Sequence, residues 1–287
     1  MTSSVRILTH IAVVLTGVVA AVAMQCAVPR AAGDEKSNAA DANPVDANGA
    51  AEAIITPKAV DLRPLLQKWG LEPRVQGGRE TCSVFVVTEA LEYALASKQQ
   101  RGTRLSAEFL NWAGNQTHKE SEDGGCFSEL WAGYESHGIC AEAEMPYRDK
   151  FDPAAKPSDG AIAHAKEIRS LGLKLHWIKE WDADKGVNEK QLAEIKKTLA
   201  QQWPVSGGFL WPKSKAVDLN LLTVVPRSEV IDGHSVLLVG YRDDAAQPGG
   251  GVFVFRNTSH GGRDGWMPYA YAREFVNDAA WVDDQAR

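Results

Sequence analysis

Residues 82–95 read Cys-Ser-Val-Phe-Val-Val-Thr-Glu-Ala-Leu-Glu-Tyr-Ala-Leu, mostly apolar and mostly good helix formers, shortly after the glycine turn Gly77-Gly78. This pattern predicts a long, largely buried helix with Thr81 as its N-cap. Residues 105–112 predict a second helix, capped by Ser106, with Phe109, Leu110 and Trp112 available to pack. Gly124-Gly125-Cys126 turns into a third, from Phe127 to about Ser136, which stops at His137-Gly138. Residues 138–147 run extended, punctuated by Pro146, and the polar stretch 152–159 is the crossover between two halves. There the period changes. Asn188-Glu-Lys-Gln191 is a capping box leading into Leu192, Ile195 and Leu199 at helical spacing. Residues 205–210, 235–241 and 251–256 are short apolar runs bounded by Gly, Pro or Asp, the signature of buried strands. No internal repeat is present. The expected class is α+β, a helical first lobe and a β-rich second lobe.

The first 24 residues carry Arg6 as their only charge, an apolar run from 7 to 24, and a small-x-small site at Ala21-Val22-Ala23. They predict a cleaved signal peptide. The alternative is an uncleaved anchor attaching the protein to a membrane through residues 7–24, since about 18 apolar residues nearly suffice to span one. Residues 25–56 hold almost no large apolar side chains and form a flexible linker. The folded part is therefore 57–287, entered by a strand at Ala59, with the helical lobe at about 65–155 and the β-rich lobe at about 160–287. The expected location is secreted, periplasmic or in the cell envelope.

Composition narrows the chemistry. With 44% hydrophobic residues and nine Trp the chain can fill a core, and its net charge of −6 comes without any basic cluster, which argues against nucleic-acid binding. His118, His137, His164 and His176 lack ligand spacing and read as surface or packing residues. Of four cysteines, Cys26 lies in the leading segment, leaving Cys82, Cys126 and Cys140. An odd number in an exported chain suggests one free thiol beside at most one disulfide. Only Cys126–Cys140 would leave Cys82 free. A helix between those two can hold them too far apart, so the pair stays open.

A cysteine at the edge of an apolar helix is ordinarily a small buried hydrophobe. Cys82 stands in the first helical turn, however, where free N–H groups and the macrodipole favour a thiolate. His234 directly precedes one predicted strand and Asn257 ends the next, so the two can be hydrogen-bond partners. An imidazole can take the thiol proton while an amide oxygen fixes which ring nitrogen faces the sulfur. Gln76, six residues before Cys82, adds an amide near the same point.

Several stretches, in chain order, resemble papain-like cysteine peptidases. Gln76-Gly-Gly-Arg-Glu-Thr-Cys82-Ser-Val-Phe85 is similar to the family's Gln-Gly-x-x-x-x-Cys-Trp-Ala-Phe, and Ala59-Val-Asp-Leu-Arg63 to its mature N-terminus. Leu105-Ser-Ala-Glu-Phe-Leu110, Gly124-Gly-Cys126, residues 138–147, Trp203-Pro-Val-Ser206, Gly233-His-Ser-Val-Leu-Leu-Val-Gly-Tyr241 and Phe255-Arg-Asn-Thr-Ser259 resemble its later blocks. The tail Gly265-Trp-Met-Pro-Tyr-Ala-Tyr271 looks most like bacterial members. Cys82 and His234 are 152 residues apart, against roughly 130–150 in the family. The resemblance implies a papain-like two-lobe fold with a β-barrel-like right lobe and the active site between the lobes. It also implies Cys82 as nucleophile in an ion pair with His234, His234 as general base and acid, Asn257 as orienter, Gln76 as oxyanion donor, and substrate-binding backbone at Gly124, Gly125 and Gly233. The implied substrate is a peptide or protein, and no cofactor.

The pattern breaks at defined points. Ser83 and His260 stand where the family has tryptophans, the second of which covers the Asn–His bond, and Trp266 or His260 is available to fill that space. Phe127-Ser-Glu follows Cys126 in place of Asn-Gly-Gly, and Arg79-Glu80 replaces Cys-Gly, removing a disulfide and placing two charges beside the cleft. The loss of both tryptophans supports an alternative, a catalytically silent module that binds peptides or proteins, with amide exchange or deamidation as a third course.

Overall fold

The computed structural model describes residues 56–213, 217–259 and 261–284. The signal peptide or anchor, the linker up to residue 55, Cys26 and His260 lie outside the described residues.

Strand β1 (Ala59–Asp61) leads into a short helix the sequence pattern did not mark, α1 (Arg63–Lys68). Helix α2 (Cys82–Gln99) follows, buried at every position from Cys82 to Ala96. A helix apolar all round belongs inside a protein. Accordingly α2 packs against α3 (Ala107–His118) and α4 (Phe127–His137), and also against strands of the second lobe. It is the shared wall of both lobes. The Ser106 hydroxyl caps α3 by accepting the Phe109 N–H. Thr81 occupies the N-cap position of α2 without capping it, because its hydroxyl is hydrogen-bonded to the Tyr147 hydroxyl at 2.7 Å.

After α5 (Asp159–Arg169) come β2 (Lys174–Lys179), α6 (Glu189–Ala200), β3 (Val205–Pro212), β4 (Val230–Asp243), β5 (Gly251–Asn257), β6 (Arg263–Pro268), α7 (Tyr269–Phe275) and β7 (Val276–Asp283). The capping box of α6 forms as expected, with Asn188 and Gln191 exchanging side chain to backbone bonds. The strands make one antiparallel sheet in the order β2-β7-β3-β4-β5-β6, with β1 added to β4 and no closing pair among the described residues.

Two expectations change. His234 lies within β4 rather than ahead of its strand, because pairing with β3 continues back to Val230. Cys82 and Cys140 are both free buried thiols where the sequence suggests one free thiol, and the Cys126–Cys140 pair, which the sequence leaves open, is not formed.

Candidate active site

The N-terminus of α2 brings Cys82 to the sheet at β4. Its sulfur lies 3.6 Å from the Gly233 carbonyl oxygen, toward which the S–H donates. Gly233 has φ +101°, and a Cβ there would meet nothing, so backbone conformation rather than space calls for glycine. The register explains that conformation. Phe209 pairs with His234 but Trp211 pairs with Ile231, so two steps along β3 match three along β4. The extra residue is a bulge, a device that re-aims side chains near functional sites.

Burial pushes the Cys82 thiol up. The N–H groups of Ser235 and Ser83 and the Ser235 hydroxyl pull it back, while the Glu80 carboxylate adds to the rise. This reverses the sign expected from the helix terminus alone: desolvation of a buried anion outweighs the macrodipole.

His234 Nε2 lies 2.8 Å from Asn257 Oδ1. That oxygen also accepts the Ser259 N–H at 3.2 Å and the Ser259 hydroxyl at 3.0 Å. A backbone N–H can only donate, which fixes the amide oxygen on this side; Nε2 therefore carries the proton and donates. The neutral ring is left with its lone pair on Nδ1. Asn257-Thr258-Ser259 has the form of a glycosylation sequon, but Asn257 is fully buried and Ser259 serves the hydrogen bond.

Gln76 is buried and tied from both lobes. Its Nε2 donates to the Arg79 carbonyl at 2.8 Å, its Oε1 accepts the Thr258 hydroxyl at 2.7 Å, and its N–H donates to the Thr258 carbonyl at 3.0 Å. Tyr147 donates its hydroxyl to the Gln76 carbonyl at 2.8 Å. One hydrogen of the amide nitrogen is used by Arg79, leaving the second for a ligand. Gly124 has φ +113°, and a Cβ on it would fall 2.4 Å from the Glu80 carbonyl oxygen. The Gly124-Gly125 backbone thus lies directly against the loop leading to Cys82.

The two charges expected beside the cleft behave differently. Glu80 is exposed, but Arg79 turns inward, only 6% exposed. Its guanidinium pairs with Glu108 at 2.5 Å and Asp123 at 2.8 Å, donates to the Arg148 carbonyl at 2.8 Å, and lies 4.5 Å from the Tyr147 ring centre. Trp266 does not cover His234, since Arg63 and Arg242 lie over its ring. The indole that meets the imidazole belongs to Trp211 on β3, with ring centres 4.4 Å apart. Nothing in the local sequence marks Trp211, because the contact is made across strands. Among the described residues no group of three or more His, Cys, Asp or Glu is arranged to hold a metal ion.

A two-lobed protein that presents a cysteine from the head of a central helix to a histidine-bearing antiparallel sheet has the architecture of a thiol peptidase. The model of the papain family cysteine proteases matches residues 56–280, and the chain belongs to that family. It is a papain-like cysteine peptidase, a hydrolase.

Solved structures agree on the fold. Xylellain, a cysteine protease from Xylella fastidiosa, is 22% identical with a TM-score of 0.63, over 81% of this chain and 87% of its own. The proform of the ragweed pollen cysteine protease Amb a 11 is 19% identical with a TM-score of 0.60, over 83% and 69%. The cysteine protease and lectin-like domains of Cwp84, a surface layer associated protein of Clostridium difficile, give 16% and 0.57, over 81% and 53%. No curated protein matches this chain. No helix among the described residues is long and apolar enough to cross a membrane.

Proposed function

We propose that this chain is an exported peptidase that cleaves peptide bonds through Cys82, His234 and Asn257, with Gln76 in the oxyanion hole. The observation that carries the proposal is the His234–Asn257 bond, whose oxygen Ser259 holds in place, so that Nδ1 is the basic nitrogen of a ring next in sequence to the sulfur's carbonyl partner. His234 Nδ1 takes the Cys82 proton as the sulfur attacks the carbonyl carbon of a peptide. The oxyanion accepts from the free Gln76 N–H and the Cys82 backbone N–H, each such donor being worth about 3 kcal/mol in the barrier. The tetrahedral adduct collapses to a thioester while the imidazolium protonates the departing amine. Water, deprotonated by His234, then releases the acid and restores the thiol. The extended substrate would lie along the Gly124, Gly125 and Gly233 backbone. A buried thiol pushed upward becomes an anion only beside a cation, so the reactivity of Cys82 depends wholly on His234.

The test is alkylation of the purified full chain with iodoacetamide near pH 5.5, read by intact mass and peptide mapping, beside His234→Ala. Rapid labelling at Cys82 that disappears in the variant is expected, together with hydrolysis of denatured protein substrates. Labelling no faster than an ordinary thiol would instead indicate a peptide-binding module, as the loss of tryptophan at Ser83 suggests.

A further inference from the structure

A hydrogen bond between imidazole and amide orients a base only if water does not compete for both partners, and the charge of the imidazolium is felt most where the surroundings are dry. Asn257 is fully buried, but His234 is half-buried and borders the cleft. Neither Ser83 nor Trp266 provides an aromatic cover, the first by its chemistry and the second because its ring is taken up by two arginines.

Trp211 is built for that place. It is 7% exposed, its ring meets that of His234 edge-on at 62°, and its other sides are braced by Phe255 at 6.0 Å and Tyr271 at 6.4 Å. The Tyr271 hydroxyl donates to the carbonyl of Leu210 at 2.8 Å, pinning the backbone just before the indole. The β3–β4 register shift lies beside this residue, so the irregularity that sets the Gly233 conformation also brings the Trp211 and His234 rings together. β-Branched or small side chains at position 211 would leave a gap against the imidazole.

We propose that Trp211 is a positioning residue for the reaction. Supplied from β3 rather than from the strand of Asn257, its indole excludes water from the His234–Asn257 bond and locks the ring so that Nδ1 stays with the sulfur. It acts through His234, whose ring it meets. The proposal deepens the peptidase assignment and rests on it for its kinetic consequence, though not for its structural one.

Two measurements test it on Trp211→Phe and Trp211→Leu. The first is the pH profile of Cys82 alkylation and of kcat/KM. We expect kcat/KM to fall on the order of tenfold in Trp211→Leu, a fraction of what general acid–base catalysis contributes, carried by kcat with KM little changed. The acidic limb moves to higher pH, and Trp211→Phe recovers part of both. A merely structural role would lower the melting temperature and leave the profile where it was. The second is the exchange rate of the His234 Nε2 proton, followed as a downfield NMR signal. It is slow in the parent and faster in Trp211→Leu whether or not the chain hydrolyses peptides. If Cys82 proves unreactive in the parent while this difference persists, the peptidase assignment fails and the cover stands. Equal exchange and an unmoved pH profile in folded variants would overturn the role of Trp211.

Discussion

Position 82 shows how two effects of one helix terminus compete. Free N–H groups at the head of α2 favour a thiolate, yet the sulfur is buried, and burial wins. Glu80 works in the same direction as burial, because its exposed carboxylate raises the cost of a second negative charge nearby. Replacing it by glutamine removes that charge and lowers the thiol pKa. The alkylation profile of Glu80→Gln is therefore expected to move to lower pH, and the difference to shrink at high salt, where exposed charges are screened. An unchanged profile would mean that Glu80 does not act on the sulfur. The residues at this scale were unevenly legible. Cys82, His234, Asn257 and Gln76 announce themselves by type and order. Thr258 and Ser259 did not, since Asn-Thr-Ser also spells a glycosylation sequon and only burial of Asn257 removes that meaning. Trp211 gave no signal, because what it touches is set by strand register.

The loop before α2 was the element least legible in sequence. Arg79 and Glu80 are neighbours of opposite charge, and nothing in their order says that one turns in and the other out. The deciding partners, Glu108 on α3 and Asp123 before α4, come 29 and 44 residues later. Arg79 thus joins the loop to α3 and to the turn before α4 by ion pairs, at the position where the family pattern carries a disulfide cysteine that this chain lacks. Breaking such a pair from one side leaves buried carboxylates without a counter-charge. Arg79→Met is expected to lose about 3–5 kcal/mol in urea unfolding. Arg79→Lys recovers only part of this, because an ammonium cannot reproduce the forked contacts with Asp123. A loss within about 1 kcal/mol, the range of exposed ion pairs, would show that the network is solvated rather than structural. Other elements were read or missed for plain reasons. Helices α3, α4 and α6 follow cap or turn residues and carry periodic apolar positions, and α2 reads from its unbroken run of apolar helix formers. Strands β2, β6 and β7 mix polar with apolar residues or follow a helix without a break, so they appear only when pairing partners are known.

At the scale of the whole molecule, a helix buried in both lobes must bury whatever it carries, and α2 carries two glutamates. Glu92 is met by Arg74 at 3.2 Å, Arg104 at 3.1 Å and the Leu105 N–H at 2.8 Å. Glu89, one turn earlier, is 3% exposed, and neither of its oxygens finds a hydrogen-bond partner among the described residues. Burial pushes it up to about 7; Arg256 on β5 and, more weakly, Arg74 and Arg104 oppose the rise, and Glu92 adds to it. The sign of its effect on stability follows. Below the ordinary glutamate value of 4.5 both folded and unfolded chains hold the proton, and Glu89 contributes no pH dependence. Between 4.5 and about 7 only the folded chain still holds it, so stability falls as pH rises. Above that the group is ionised in both states and the full penalty, about 3 kcal/mol, is constant. Glu89→Gln, which cannot ionise, removes this slope. Melting temperatures of parent and variant measured from pH 4.5 to 8.5 should diverge in favour of the variant as pH rises, with the change centred between 4.5 and 7 and flat beyond. A gap that stays constant across the range would mean Glu89 is already paired when ionised. With the expected outcome, the helix that carries Cys82 also makes the joined lobes less stable toward alkaline pH.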